Sequence, residues 1–345
     1  MKSAILTAGP KGGSLRVKIV ESKTPVPGQG ELVVEMKACG LCGTDLEKIR
    51  GEYTASMPVI GHEAVGKVSA LGTGVTGFKV GDNVFPHHHV PCHECYLCRA
   101  GEETMCDRYR SSNISPGGFS ESFRVPEWNV QKGGVLKLPR TLGFEVASLI
   151  EPVACCVRAI ERCKVGSGNS VLVAGAGPVG MMHAILLKEQ GAKVIISDVS
   201  ETRLDFAEKA GVGVVLNAAK SHIPDRVRSV TDGRGADLAM IASGSKDAIL
   251  QGLRSIRKGG QVCLFGIPTR GSVLEYDVSE LYNSDQRIIT SYAATEKDTK
   301  EALQILSESA DEFGRLITHR FPIAKFDEAA RVAADGTAMK VVVTP

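Results

Sequence analysis

Scarcities narrow the field first. Aromatic residues make up 5% of the 345 residues, with a single Trp, which is too few to build the stacking platform of a single-stranded nucleic-acid binder. Charge is nearly balanced, 41 Lys and Arg against 39 Asp and Glu for a net of +2, so no polyanionic partner is implied and no nucleic acid is expected. No apolar run reaches the roughly 20 residues of a membrane span. The start, Met1-Lys2-Ser3-Ala4-Ile5-Leu6, enters a strand-like pattern without an apolar leader and cleavage site, so a cytoplasmic protein with no membrane partner is expected. What remains, 43% hydrophobic and 23% charged residues, is the balance of a soluble globular chain of about two domains.

Cysteine is the exception to this ordinariness. There are ten, expected to stay reduced in a chain without an export signal. Four of them form Cys92-x2-Cys95-x2-Cys98-x7-Cys106, bounded by Pro91 and containing Gly101. Thiolates at this spacing can converge on one tetrahedral zinc, and four of them leave no open position, which makes the ion structural. A ferredoxin-type cluster would need a shorter last gap and a Cys-Pro ending. Unrelated reduced thiols are the plain alternative. A looser group comprises Cys42, His62, Glu63 and Glu151. Cysteine, histidine and carboxylate suit a zinc that keeps one position open. Each also has a duller explanation: a small buried thiol, a satisfied core histidine, a helix-surface carboxylate.

The second half turns on Val171-Leu172-Val173-Ala174-Gly175-Ala176-Gly177-Pro178-Val179-Gly180. Four apolar residues read as a strand buried on both faces. Gly175-x-Gly177-x-x-Gly180 opens a helix at once, as a backbone that must approach a pyrophosphate at a helix N-terminus requires. The next strand ends at Asp198, close to the spacing of the acid that holds the adenosine ribose of NAD. Strands at 171–174, 193–197, 214–216, 237–242, 261–265 and 287–291 alternate with helices, with Gly211 and Gly259-Gly260 as helix stops. Six strands with crossover helices give an α/β, doubly wound, parallel Rossmann domain. Residues 1 to about 130 are β-rich, with strands at 15–20, 31–38, 64–70 and 80–85. A helix follows over 142–160, kinked at Pro152, and further helices cover 297–309 and 322–333 before a last strand at 340–343.

With these motifs assembled, the sequence resembles the zinc-dependent medium-chain alcohol dehydrogenases over nearly its whole length. Gly61-His62-Glu63-x2-Gly66-x5-Gly72-x2-Val75 is similar to that family's zinc signature, and Glu63 with Glu151-Pro152 looks like its polyol (sorbitol-type) and threonine dehydrogenase branch. The resemblance implies a β-rich, GroES-like catalytic domain over 1–153 and 291–345 and an NAD-binding domain over 154–290. It implies two zinc ions per chain, the catalytic one on Cys42 and His62, with Glu63 and Glu151 as ligands or just behind them. Thr44 would take the alcohol proton, Asp45 would orient His62, and Glu47 stands where relatives carry a relay histidine. Gly175, Gly177, Pro178, Val179 and Gly180 would meet the coenzyme. Arg203 matches a ribose-contacting position, and Lys340 a basic residue near the pyrophosphate. His89, Phe119 and Tyr292 are the substrate-site candidates, although core packing explains Phe119 equally well. Ser291 departs from the arginine that sorbitol-type enzymes carry there. The run His87-His88-His89 also reads as a polar surface loop or an adventitious metal site.

The implied function is an NAD-dependent oxidoreductase moving hydride from a secondary alcohol of a polyol, sugar alcohol or sugar derivative. Asp198 favours NAD over NADP because its carboxylate accepts from the 2′-hydroxyl and repels a 2′-phosphate. An L-threonine 3-dehydrogenase-like enzyme is the rival, and a zinc-stabilised binding protein without catalysis is the reading from another class. Association as a homodimer or homotetramer follows from the resemblance.

Overall fold

Short alternating apolar runs, cut by glycine turns, form strands in the first part of the chain. The computed structural model describes residues 1–8, 15–51, 60–268 and 270–345. In chain order the strands are β1 (Lys2–Ala8), β2 (Leu15–Glu21), β3 (Leu32–Gly40), β4 (Glu63–Leu71), β5 (Asn83–Pro86), β6 (Ser122–Val125) and β7 (Val135–Lys137). Then come β8 (Ser170–Ala174), β9 (Lys193–Asp198), β10 (Val214–Asn217), β11 (Ala236–Ile241), β12 (Ile256–Leu264), β13 (Arg287–Thr290), β14 (Ile317–Pro322) and β15 (Lys340–Thr344). The longer helices are α1 (Gly43–Arg50), α2 (Ile150–Cys163), α3 (Pro178–Glu189), α4 (Glu201–Ala210), α5 (Ile223–Val230), α6 (Lys246–Ser255), α7 (Val278–Asn283), α8 (Glu296–Glu308) and α9 (Phe326–Ala334). Among the described residues, no helix is long and apolar enough to cross a membrane.

The chain divides into two compact units, one of Met1–Ala154 with Ala294–Pro345, the other of Cys155–Ala293. In the first, the main sheet runs β14-β15-β3-β4-β5-β7, with β6 also paired to β3 and β1-β2 forming a separate ladder. Leu32, Val34, Met36, Phe119, Phe123 and Phe326 lie in its core. The last strand, β15, enters this sheet between β14, to which it is parallel, and β3, to which it is antiparallel. In the second unit all six strands are parallel, in the order β10-β9-β8-β11-β12-β13. This is the doubly wound order, and it puts β8, buried at all five positions, at the reversal point where ligands bind.

Three sequence expectations are corrected here. The stretch 142–160 is two helices, Phe144–Ala147 and α2. Pro152 is the third residue of α2, where a backbone N–H has no intrahelical acceptor, so it causes no kink. Gly259-Gly260 does not stop a helix: α6 ends at Ser255 and Ile256 is already extended. The two glycines lie inside β12, where the ladder to β11 skips between Ala236 and Leu238, and Gly259 takes the left-handed conformation (φ +69°). The helix expected over 322–333 begins only at Phe326, because Pro322 closes β14.

Candidate metal and coenzyme sites

In the first unit, β3 and β4 pair with Gly40 opposite Glu63. A Cβ on Gly40 would lie 1.9 Å from Glu63 Oε2, so the close approach of these strand ends requires glycine. Cys42 follows in extended conformation just before α1, and His62 stands just before β4. One buried carboxylate ties the two turns together. Asp45 accepts from the Cys42 N–H through Oδ2 (3.2 Å) and from the Gly61 N–H through Oδ1 (3.2 Å). Its Oδ1 also stands 3.5 Å from His62 Nδ1, the usual way a ligating imidazole is held from behind. The ligand atoms of Cys42, His62 and Glu63 lie within 4.8 Å of one another. Burial opposes a charge on His62, but Asp45 and the Cys42 sulfur outweigh it and push the imidazole well above its usual range. A pocket that favours positive charge so strongly, with S, N and O donors converging, fits a divalent cation.

The carboxylate of Glu63 is engaged. Lys340 Nζ donates to its Oε1 at 2.7 Å and stands 2.5 Å from Oε2, with Lys340 only 4% exposed on β15. Burial works against that ammonium, but Glu63 and Cys42 prevail and raise it. The resemblance assigned Lys340 to the pyrophosphate; here it is the buried counter-ion of Glu63. Glu151, buried in the first turn of α2, does not join the three converging donors, although its charge reaches Lys340. Thr44 Oγ1 is 3.7 Å from Cys42 Sγ, and Glu47 is half-buried one turn further along α1.

The histidine run is no surface loop, since His87 and His88 are buried. Asn129 Nδ2 donates to the carbonyls of His87 (2.7 Å) and His88 (3.3 Å) and fixes the backbone. The His88 ring lies 5.1 Å from the ring of His62 and 4.1 Å from that of His89, which in turn is 5.2 Å from Tyr109. Burial, reinforced by neighbouring imidazoles, pushes His87 and His89 down to about 3. The result is a wall of neutral imidazoles beside the metal donors. Phe119 is corrected as a substrate residue: it is fully buried, with its ring 4.7 Å from Phe326 and its backbone against Gly61. Nothing local in the sequence singles out Asn129, whose partners are some 40 residues away.

The cysteine quartet converges. Sγ–Sγ separations are 3.9 Å for Cys92–Cys98, 3.5 Å for Cys95–Cys98 and 3.6 Å for Cys92–Cys106. Four sulfurs at about 2.3 Å from one tetrahedral zinc would stand about 3.8 Å apart. The N–H of Cys95 donates to Cys92 Sγ at 3.3 Å. Such backbone donors, the Glu94 N–H first, push the Cys92 thiol down to about 6.

In the second unit, Gly175 leaves β8 with φ +112°, and a Cβ on Gly180 would meet the Gly175 carbonyl oxygen at 1.8 Å. Gly177 precedes α3, no side chain caps that helix, and Pro178 occupies its first turn. Asp198 closes β9 and braces the turn, its Oδ2 accepting from the Ala176 N–H (2.7 Å) and its Oδ1 from the Ser200 N–H (2.9 Å). Arg203 NH1 stands 3.7 Å from Asp198 Oδ2 and equally far from where a Cβ on Gly177 would lie. Glycine backbone, open helix start, acid and guanidinium fit a dinucleotide. Tyr292 follows β13 in this unit, half-buried.

Residues 28–134 match the model of the alcohol dehydrogenase GroES-like domain, and 178–308 that of the zinc-binding dehydrogenase. L-threonine 3-dehydrogenase of Saccharopolyspora erythraea is 32% identical over 346 residues, covering 98% of each chain. The chain belongs to the zinc-dependent medium-chain alcohol dehydrogenases. It is an oxidoreductase acting on alcohols, with zinc and a nicotinamide coenzyme. Sorbitol dehydrogenase of Halalkalibacterium halodurans is similar at 29% identity, covering 100% of this chain and 99% of its own. Among solved structures, an alcohol dehydrogenase from Thermus sp. ATN1 superposes with a TM-score of 0.88 at 26% identity, covering 100% of this dehydrogenase and 99% of that chain. A zinc-binding dehydrogenase from Sinorhizobium meliloti bound to NADP does so with 0.87 at 26%, with the same coverage.

Proposed function

We propose that this dehydrogenase oxidises a secondary alcohol of a polyol or sugar derivative with NAD. The observation that carries the reading is the convergence of Cys42, His62 and Glu63 around one point, with Asp45 behind them. Zinc held there supplies Lewis acidity to the alcohol oxygen, and NAD supplies the acceptor for the hydride that leaves the alcohol carbon. Cys42 and His62 hold the ion and Glu63 completes the donors, its charge balanced by Lys340. Asp45 keeps the His62 ring aimed. Thr44 takes the alcohol proton at Oγ1, and Glu47, three residues on along α1, receives it on the way to solvent. The neutral rings of His88 and His89 offer both a donor and an acceptor to further hydroxyl groups of the substrate.

Gly175, Gly177, Pro178, Val179 and Gly180 cradle the pyrophosphate, and Asp198 accepts from the ribose 2′-hydroxyl, which supports NAD over NADP. Arg203 pairs with Asp198 and so is drawn away from a 2′-phosphate. L-Threonine is the second reading, supported by the threonine dehydrogenase relatives. NAD reduction across polyols, sugar acids, phosphosugars, amino alcohols and L-threonine separates them, and turnover of none would sink both. Assembly as a homodimer or homotetramer is supported by the open edge of β13 and by Tyr282 of α7, 86% exposed. Light scattering of the eluted protein tests it. Ten free cysteines fit a reducing, cytoplasmic setting.

A further inference from the structure

Glu296 has no part in the chemistry above, yet it is a buried carboxyl group at the start of α8, 5% exposed. Its Oε1 lies 4.0 Å from His87 Nδ1 and its Oε2 3.3 Å from His93 Nε2. Neither carboxylate oxygen, and neither ring nitrogen of His87, has a hydrogen-bond partner among the described residues. Burial pushes the carboxyl up to about 7.

The three residues come from separate places. His93 belongs to the cysteine loop, between Cys92 and Cys95, and adopts the left-handed conformation at φ +64°, unusual for a residue with a side chain. That conformation aims an imidazole that is otherwise 45% exposed at Glu296. His87 opens the imidazole wall, its ring 5.3 Å from that of His88, and His88 packs on His62. The same stretch grips the wall a second time, where Tyr109 Oη donates to the Ala294 carbonyl at 2.6 Å and its ring packs near His89. The start of α8 is itself held, since Asp298 Oδ2 accepts from the Thr295 N–H (2.7 Å) and hydroxyl (2.8 Å).

We propose that Glu296 is a positioning residue for the alcohol site, tying the Cys92–Cys106 loop through His93 to the wall of His87, His88 and His89 that packs against His62. The cysteine loop then does more than stabilise its own lobe: its conformation sets how substrate meets the catalytic metal. This rests on the alcohol-dehydrogenase reading of the Cys42–His62 site.

Two variants cut the tie at different ends. Glu296→Ala removes the hub. His93→Asn shortens the arm while keeping a residue type that tolerates the left-handed backbone, and at an exposed side chain it carries the test should the buried variant fold poorly. The expected result for each is an alcohol KM raised about tenfold, with the KM for NAD unchanged and two metals retained per chain. The double variant should be no worse than Glu296→Ala, because both act along one path. A second readout needs no turnover: with Co2+ in the Cys42–His62 site, its visible d–d bands shift in both variants. Wild-type KM and spectrum in both, or effects that simply add, would overturn the proposal. A wild-type enzyme inactive on every alcohol would overturn the functional reading instead, and the cobalt spectrum would still report on the tie.

Discussion

In the proposed site Cys42 is a ligand of a metal that keeps one position open, and such a site contributes less to folding than a closed one. Cys42→Ser should therefore lose one metal of two and cut turnover by about a thousandfold, the several kcal/mol that a Lewis acid supplies. The melting temperature should hardly move. Metal analysis and NAD reduction on the same preparation check this, and full turnover would remove Cys42 from the mechanism. At this scale, legibility depended on sequence distance. The quartet Cys92, Cys95, Cys98 and Cys106 stands out because its chemistry and its spacing occupy one short loop. The pair Glu63–Lys340 joins residues 277 positions apart, and periodicity carries no signal of such a contact. His93 and Glu296 were equally silent, one a loop histidine and the other an acid in the first turn of a helix, where acids are ordinary.

Among the elements, the cysteine loop has little regular structure of its own, a four-residue helix and short 3-10 turns. A closed thiolate site contributes its binding free energy to folding. Cys98→Ser should thus lower the melting temperature by several degrees and release one metal, in contrast to Cys42→Ser; calorimetry alongside metal analysis decides, and an unchanged transition would make the quartet dispensable. Elements with strong local pattern were readable: β8, buried throughout, and α3 and α4, which are followed by Gly191 and Gly211, both of positive φ. Where the reading failed, two signals competed. Glycines after α6 resemble a helix stop, but Arg257 reaches Asp237 at 2.7 Å from within β12, and that tertiary pairing draws the segment into the strand. Pro152 looks like a kink only if its position within α2 is unknown.

For the molecule as a whole, acid should be the weak side. His183 on α3 is fully buried, its ring perpendicular to that of Phe265 with centroids 4.7 Å apart, and burial pushes it down to about 3. An unfolded chain binds a proton there near pH 6.5, so between about 6.5 and 3 the unfolded state carries more protons and stability falls as the pH falls. His87 and His89 act in the same direction. His183→Leu should flatten the acid limb by up to about 1.4 kcal/mol per pH unit, measured by urea unfolding between pH 4 and 7. An identical slope in the variant would mean that His183 is protonated without cost.

The position of β15, wedged between β14 and β3 and carrying the lysine that neutralises Glu63, bears on how the enzyme is made. A ribosome delivers the uninterrupted segment Cys155–Ala293 whole, so that unit can settle early. The other must wait with a gap in its main sheet until residues 340–344 have emerged. Nascent chains halted before residue 340 should accordingly leave the Cys39–Gly40 end of β3 without its β15 partner and a carboxylate without its cation, which makes the interval before β15 emerges the window in which chaperones and metal delivery matter most.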